Sequence, residues 1–254
     1  MGTMQNTKGI KKYYDNYWSK HNIKEQDKSN LRTYQQEALS YAFQCLKNHF
    51  GSLKNRKVLE IGPGKGCNLL QFAELGANVT AIDVSRNSLK LSKEILDRNN
   101  LLSKVKLMQM DAHNLLFKKT KFDIVFMQSI LMHLDALRVA KQCRSVLKND
   151  GVLLFIEPID DNPLIKLCRL FFSEFKETNP KYISYKQVIE ISKLFKTAQI
   201  RGFYLFSFAC FIFGKGNFLC RPVCSILKGL ENVLLLLFPS LEKKAWLYVS
   251  MNVK

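Results

Sequence analysis

Residues 58–66 read Val-Leu-Glu-Ile-Gly-Pro-Gly-Lys-Gly, a short apolar run that stops at three glycines in five positions. Helix does not propagate through that spacing, and a strand does not continue past it. The segment fits a buried strand, Lys57–Ile61, then a tight turn, then a helix over Asn68–Leu75 that Gly76 closes. Gly62 and Gly64 lack a Cβ, so the turn's backbone can approach a ligand closely, and the helix beyond offers free N–H groups.

The chain repeats this theme. Val79–Ile82, Val105–Met110, Phe122–Met127 and Val152–Ile156 are short apolar runs that read as strands. Between them lie helical stretches, one capped by Ser85 and running to about Arg98, another capped by Asp135 and running to Leu147. Asn149-Asp150-Gly151 reads as a turn before the fifth strand. Strands of about five residues alternating with longer helices imply βαβ units, a parallel sheet and right-handed crossovers. Ligands of such sheets bind at the carboxyl ends of the strands. In this chain those ends carry Glu60 with its glycines, Asp83, Asp111, Gln128 and Glu157.

The flanks differ. Leu31, Tyr34, Ala38, Leu39, Tyr41, Ala42, Cys45 and Leu46 recur at helical spacing, and Gly51 ends the pattern. After Pro163, Leu164–Phe175 and Tyr185–Phe195 read as helices, and Gln199–Phe206 and Trp246–Val253 as strands. Ser207–Lys244 is an apolar insert with few charges, expected to form one or two helices over the mouth of the site. The expected fold class is thus α/β: a doubly wound, seven-stranded Rossmann-like sheet, its last strand antiparallel, with N-terminal helices and an apolar C-terminal lid insert. The expected division within one domain is a helical cap at 1–53, a cofactor-binding core at 54–160, and a substrate lid with the final strands at 161–254.

Composition narrows the function. The chain has 254 residues, 47% of them hydrophobic and 24% charged, a globular balance. The longest apolar stretches, Phe203–Phe213 and Val233–Phe238, are shorter than the roughly 20 residues that span a bilayer. The N-terminus has no apolar core of a secretory signal, which points to the cytoplasm. Seven irregularly spaced cysteines point to reduced thiols. Cys220 and Cys224 lack a second ligand pair, so no metal site is expected.

The net charge is +18. Basic residues outnumber acidic ones 11 to 4 over residues 1–57 and 14 to 5 over residues 163–254, but only 14 to 12 in between. Basic flanks of this kind suit nucleic acid, an anionic membrane or an anionic substrate, and equally a simple abundance of solvated lysines.

The glycine turn separates cofactor classes. Asp83 falls 21 residues after Gly62, the spacing of a carboxylate that binds ribose hydroxyls. Gly62-Pro63-Gly64-Lys65-Gly66-Cys67 departs from the dinucleotide pattern, because Cys67 stands at the third glycine position of GxGxxG. Glu60 would repel a pyrophosphate but could meet an ammonium, directly or through water. A cofactor with a ribose and a cationic aminoacyl tail fits better, and that cofactor is S-adenosyl-L-methionine.

With those residues in view, the chain resembles the class I S-adenosylmethionine-dependent methyltransferases, in particular the group that methylates small molecules and quinone-like lipids. The resemblance spans about residues 54–160. It rests on VLEIGPGKG at 58–66, AIDVS at 81–85, MDAHNL at 110–115, FDIVFMQSILMHL at 122–134 and LKNDGVLLFIEP at 147–158. YYDNYW at 13–18 is similar to the aromatic segment at the entrance of such enzymes. The resemblance implies that the Glu60–Gly66 turn, with Gly62, Gly64 and Gly66, holds the methionine part of the cofactor. It implies that Asp83 takes the ribose hydroxyls, that Asp111 and Ala112 border the adenine, and that Gln128 lies beside cofactor and acceptor.

His133 follows the fourth strand and is the expected general base, should the acceptor have to lose a proton; the competing reading makes it a structural residue of its loop. Glu157 is the second catalytic residue expected. Asp160 and Asp161 follow it and read either as acceptor contacts or as a solvated turn, and His113 reads as structural. No NPPY-type tetrapeptide and no Pro-Cys catalytic context is present, which argues against DNA as a substrate. The expected acceptor is small and lipophilic, or linked to a lipid or glycan. RNA methylation, a non-catalytic cofactor-binding role and a nicotinamide oxidoreductase remain the competing readings. In the insert, Lys215, Arg221, Lys228, Lys243 and Lys244 beside the apolar residues suggest an interfacial element facing anionic headgroups, at the inner face of a membrane.

Overall fold

A computed structural model of the chain describes residues 7–19, 33–171, 180–209 and 220–254. Among these, the elements in chain order are α1 (Thr7–Ser19), α2 (Thr33–Phe50), β1 (Lys57–Ile61), α3 (Cys67–Glu74), β2 (Asn78–Asp83), α4 (Arg86–Arg98), β3 (Val105–Gln109) and β4 (Phe122–Gln128). Then follow α5 (Ala136–Val146), β5 (Leu147–Pro158), α6 (Pro163–Phe171), α7 (Tyr185–Ser192), β6 (Thr197–Phe203), α8 (Cys220–Leu237) and β7 (Leu247–Val253).

The seven strands form one sheet in the order β3-β2-β1-β4-β5-β7-β6. Strands β1 to β5 are parallel, and β7 pairs antiparallel with both β5 and β6. From β1 the chain winds outward through β2 and β3, then returns to lay β4 on the other side of β1. That reversal opens a crevice between the turn after β1 and the loop after β4, where a doubly wound sheet binds its ligand.

Both faces of the sheet are covered, and strand residues alternate between two cores. Val58, Ala81, Phe126 and Leu154 pack with Leu39, Leu46 and Phe72 of α2 and α3. Leu59, Ile82, Val125 and Leu153 pack with Val139, Ala140 and Val188 of α5 and α7. This is why the strands read as unbroken apolar runs. Ser85 and Asp135 cap α4 and α5 by accepting from Ser88 N and Arg138 N, as the sequence predicts.

Two local features differ from the sequence reading. The Asn149–Gly151 turn is absorbed into β5: Leu147 pairs with Phe122 and Val152 with Ile124, so five steps along β5 match two along β4. Asp150, at φ 60°, makes that bulge. The cysteines also divide. Cys45, Cys67, Cys143 and Cys168 are free, but Cys224 is disulfide-bonded, so reduced thiols do not describe the whole chain. Spacing along the chain conceals pairing in space. Of the insert residues singled out above, those at 210–219 lie outside the described residues. No helix among the described residues is long and apolar enough to cross a membrane.

Buried Asn162 joins the carboxyl-edge loops. Its Nδ2 donates to Leu205 O at 2.7 Å and Lys244 O at 2.8 Å, and its Oδ1 accepts from Ile165 N at 2.9 Å. Asn162→Ala is expected to lower the unfolding free energy by about 1–3 kcal/mol for each carbonyl left dry, read from urea melts. An unchanged midpoint would mean that water replaces the amide.

Candidate active site

β1 delivers Glu60 to the crevice, and the chain then turns through Gly62 (φ 72°), Gly64 (φ 55°) and Gly66 (φ 86°). The turn is crowded as well as bent. A Cβ on Gly62 would lie 2.9 Å from Ile130 Cδ1, and one on Gly64 would lie 3.3 Å from the Trp18 ring. The loop after β4 and helix α1 therefore close on the glycines from two sides. Ser92 of α4 donates to Gly64 O at 3.1 Å and holds the turn from outside, and Ser88 Oγ lies 3.1 Å from the same carbonyl.

Glu60 is buried. Asn68 Nδ2 donates to its Oε1 at 3.3 Å and to Gln128 Oε1 at 2.9 Å. Glu60 Oε2 and Asn68 Oδ1 are buried without a hydrogen-bond partner. Burial pushes the Glu60 carboxyl up to about 8. The arrangement offers unpartnered polar atoms beside the glycine turn and suits a ligand cation with N–H donors. It does not suit a pyrophosphate.

At the end of β2, Asp83 Oδ1 accepts from Ser85 N at 2.9 Å and Oδ2 from Ser88 Oγ at 2.6 Å. Burial raises its pKa above the usual carboxylate value, and the serine and backbone donors oppose that rise. Each oxygen keeps a further lone pair for a hydroxyl donor. One strand further out, Asp111 Oδ1 accepts from His113 N and contacts His113 Nδ1, and Ala112 is buried beside it. His113 Nε2 accepts from Asp135 N at 3.0 Å, so its proton sits on Nδ1. His113 is thereby the structural residue the sequence reading makes it, tying the loop after β3 to the start of α5.

The loop after β4 is fixed from below. Glu157 is fully buried, and its Oε1 accepts from Ile130 N at 2.7 Å and Leu131 N at 2.8 Å. Its Oε2 is buried and unpartnered, and burial pushes the carboxyl up to about 8. Asp160 pairs with Arg169 at 2.8 Å, and Asp161 accepts from Tyr185 N at 2.5 Å. Both are engaged in holding α6 and α7.

His133, at the end of that loop, is buried, and its Nε2 lies 2.6 Å from the Tyr14 hydroxyl. Burial lowers the His133 pKa to about 4 and raises that of Tyr14. Asp15, one residue on, accepts from Ser85 Oγ at 2.7 Å, and its carbonyl accepts from Asn87 Nδ2 at 2.7 Å. Helix α1 is therefore fastened across the crevice, to the loop after β4 on one side and to the start of α4 on the other. Among the described residues of the flanks, α1 is the element in contact with the turn. The described part of the C-terminal insert, α8, docks instead on the loop after β6, where Glu231 accepts from Phe206 N and Ser207 N.

The structure thus gathers Glu60, Gly62, Gly64, Gly66, Asp83, Gln128, His133 and Glu157 around one crevice, with Asp111 and Ala112 at its outer end. The sequence reading took Tyr14 only as one of the aromatic residues of YYDNYW and did not single out Asn68, Ser88 or Ile130. Tyr14 carried a signal, an aromatic cluster at helical spacing, but nothing in the sequence tied it to His133, 119 residues away.

The chain is similar to known proteins in sequence and in fold. A methyltransferase-domain family matches residues 59–155. The ubiquinone biosynthesis O-methyltransferase of Haemophilus ducreyi is 32% identical over 117 residues, 44% of this chain and 49% of that protein. That of Actinobacillus pleuropneumoniae is 31% identical over 123 residues, 46% and 50% of the two chains. The chain spans about half the length of the curated relatives it matches.

In structure, it is similar to the [4+2]-cyclase SpnF, with TM-score 0.63, 16% identity and 98% and 97% of the two chains covered. It is also similar to phosphoethanolamine N-methyltransferase 2 of Haemonchus contortus, with TM-score 0.59, 18% identity and 85% and 53% covered. At such identities these structures speak for the fold alone. Residues 59–155 match the methyltransferase-domain family, and the seven-stranded sheet that carries them shares its fold with those solved structures.

The buried imidazole gives a pH test of the site. With the folded pKa of His133 near 4 against 6.5 in the unfolded chain, the unfolded state binds more protons between those values. Stability from this group is intact above about pH 6.5 and is lost as pH falls toward 4. His133→Asn removes that loss. From pH 7 to pH 5 the variant is expected to gain about 2 kcal/mol relative to the parent protein in urea melts. No relative change would show that the ring is hydrated.

Proposed function

We propose that this chain is an S-adenosylmethionine-dependent methyltransferase whose acceptor is a small, lipophilic, quinone-type molecule. The observation that carries the cofactor reading is Glu60, a buried carboxyl with one oxygen unpartnered beside a glycine turn, inside a methyltransferase domain. Glu60 and Asn68 would hold the ammonium, the backbone of Gly62–Gly66 the carboxylate end, Asp83 the ribose hydroxyls, and Asp111 with Ala112 the edge of the adenine. When bound, the cofactor supplies a methyl group on a good leaving group. Positioning of the acceptor in line then provides much of the rate.

The acceptor class rests on the quinone-biosynthesis relatives. Those relatives also leave the RNA reading without support. A hydroxyl acceptor must lose a proton, and His133 is neutral at pH 7. Its Nε2 takes the Tyr14 hydroxyl proton as Tyr14 oxygen takes that of the acceptor. Glu157 acts as a positioning residue in this scheme: it holds the loop that presents His133 and does not meet the acceptor. A lipophilic acceptor partitions into lipid, and under this reading the enzyme meets it at a membrane surface.

Two experiments test the reading. Calorimetric titration with S-adenosylmethionine should show binding that Asp83→Ala abolishes. A cation beside Glu60 favours its ionised form, so binding near pH 7 should release close to one proton, seen as a dependence of the heat on the buffer's ionisation enthalpy. Glu60→Gln should lose that release and bind more weakly. NADH binding in place of the sulfonium cofactor would overturn the reading.

Second, transfer of labelled methyl to a prenylated catechol should fall about 10²–10⁴-fold in kcat in Tyr14→Phe and His133→Asn, with cofactor affinity changed only a few fold. A loss confined to cofactor affinity would leave the pair a latch for α1 and no more.

A further inference from the structure

Helix α8 carries apolar residues on both sides. Leu227, Leu234 and Leu235 are half-buried, and the hydrogen bonds of the inward side are made by charged groups. Glu231 is buried and accepts from Phe206 N at 3.1 Å and Ser207 N at 2.9 Å. Lys228 pairs with Glu37 of α2 and lies 5.3 Å above the Tyr204 ring, whose hydroxyl also donates to Glu37. Its outward face is apolar. Ile226, Leu230, Val233, Leu236, Leu237 and Phe238 are between 55% and 80% exposed.

Ile226, Leu230, Val233 and Leu237 follow one another at four-, three- and four-residue steps, which places them in one stripe about 16 Å long. A helix that only covers its own core keeps its outward face polar, and an exposed apolar stripe of this kind marks an interaction surface.

We infer that the outward face of α8 is an interfacial anchor that lies in the headgroup region of an anionic bilayer and brings the acceptor's solvent to the carboxyl edge of the sheet. This rests on the lipophilic acceptor proposed above. Charge selects the occupant. The acidic residue of α8, Glu231, points inward, and Glu242 beyond it is taken up by Gly202 N at 2.7 Å. Lys243 and Lys244 stand exposed just past the stripe, where cationic groups meet headgroups as the apolar side chains enter the acyl boundary.

Lys228, by contrast, faces Glu37 and not the lipid, which corrects the sequence expectation for that residue. Lys215 and the Arg221 side chain lie outside the described residues. A second copy of the chain is the poorer occupant, because each copy carries +18.

The position fits the chemistry. β6 runs parallel to β5, since both pair antiparallel with β7, so the loop after β6 that seats α8 lies at the same edge as the glycine turn and His133. A bilayer against α8 would meet the molecule at the edge where the crevice lies.

Cosedimentation of the full chain with lipid vesicles tests this. Vesicles of phosphatidylcholine mixed with phosphatidylglycerol should bind at least about tenfold more protein than phosphatidylcholine alone, with the difference shrinking at high salt. Leu236→Glu with Leu230→Glu, and separately Lys243→Glu with Lys244→Glu, should each lower that binding about tenfold or more. These side chains are exposed, so S-adenosylmethionine binding should stay at the parental level and report an intact fold.

Protein that stays in the supernatant with anionic vesicles would overturn the inference. So would variants that sediment as the parent does, or a dimer in light scattering that Leu236→Glu dissociates. Loss of cofactor binding in the parent protein would overturn the methyltransferase reading instead, and the two failures are distinct.

Discussion

A single buried carboxyl group organises the crevice. Glu157 stands at the carboxyl end of β5 and takes the amides of Ile130 and Leu131 on one oxygen. That pair of bonds sets the path of the loop after β4. The loop in turn lays Ile130 against Gly62 and presents His133 to Tyr14. Tyr14 then fastens α1, and α1 brings Trp18 over Gly64. A buried ionisable group is costly to desolvate, and two backbone donors offset only part of that cost, as its raised pKa records. The arrangement persists because the loop's amides would otherwise be buried without partners.

Much of the core could be read from the sequence because its signals are local. The glycines after Ile61 and Gly76, the caps at Ser85 and Asp135, and apolar runs of strand length each depend on a few neighbouring residues. Parallel topology followed from alternation alone, and the crevice from topology. What could not be read depends on contacts between distant segments. The Tyr14–His133 bond joins residues 119 apart. The bulge at Asp150 arises because β5 must keep register with β4 while its chain carries extra residues, and a turn-like triplet does not reveal that a strand will absorb it. Glu157 looked like a reacting carboxylate because it ends a strand; only its hydrogen bonds show that it faces the backbone of a loop.

The same contrast applies to function. The fold is shared with a [4+2]-cyclase as well as with methyltransferases, so the sheet does not choose the reaction. In the function proposed above, the choice falls to groups at the carboxyl edge: an unpartnered Glu60 oxygen, an Asp83 held by two donors with capacity to spare, and a neutral imidazole beside an aromatic hydroxyl. The flanks add what the core lacks. α1 covers one side of the crevice, and α8 turns an apolar face outward at the same edge.

The end of β7 has a practical consequence. Because β7 runs against its neighbours, Lys254 lies at the amino edge of the sheet, where its backbone N–H donates to Gly151 O at 2.9 Å and its side chain to Leu147 O at 2.6 Å. Thr7, by contrast, begins the helix that lies over the crevice. A fluorophore, affinity handle or surface linkage joined after Lys254 would therefore emerge on the side away from the chemistry and leave the crevice accessible. A label on α1 would instead sit at the crevice, so the end of β7 is the better of the two places for one.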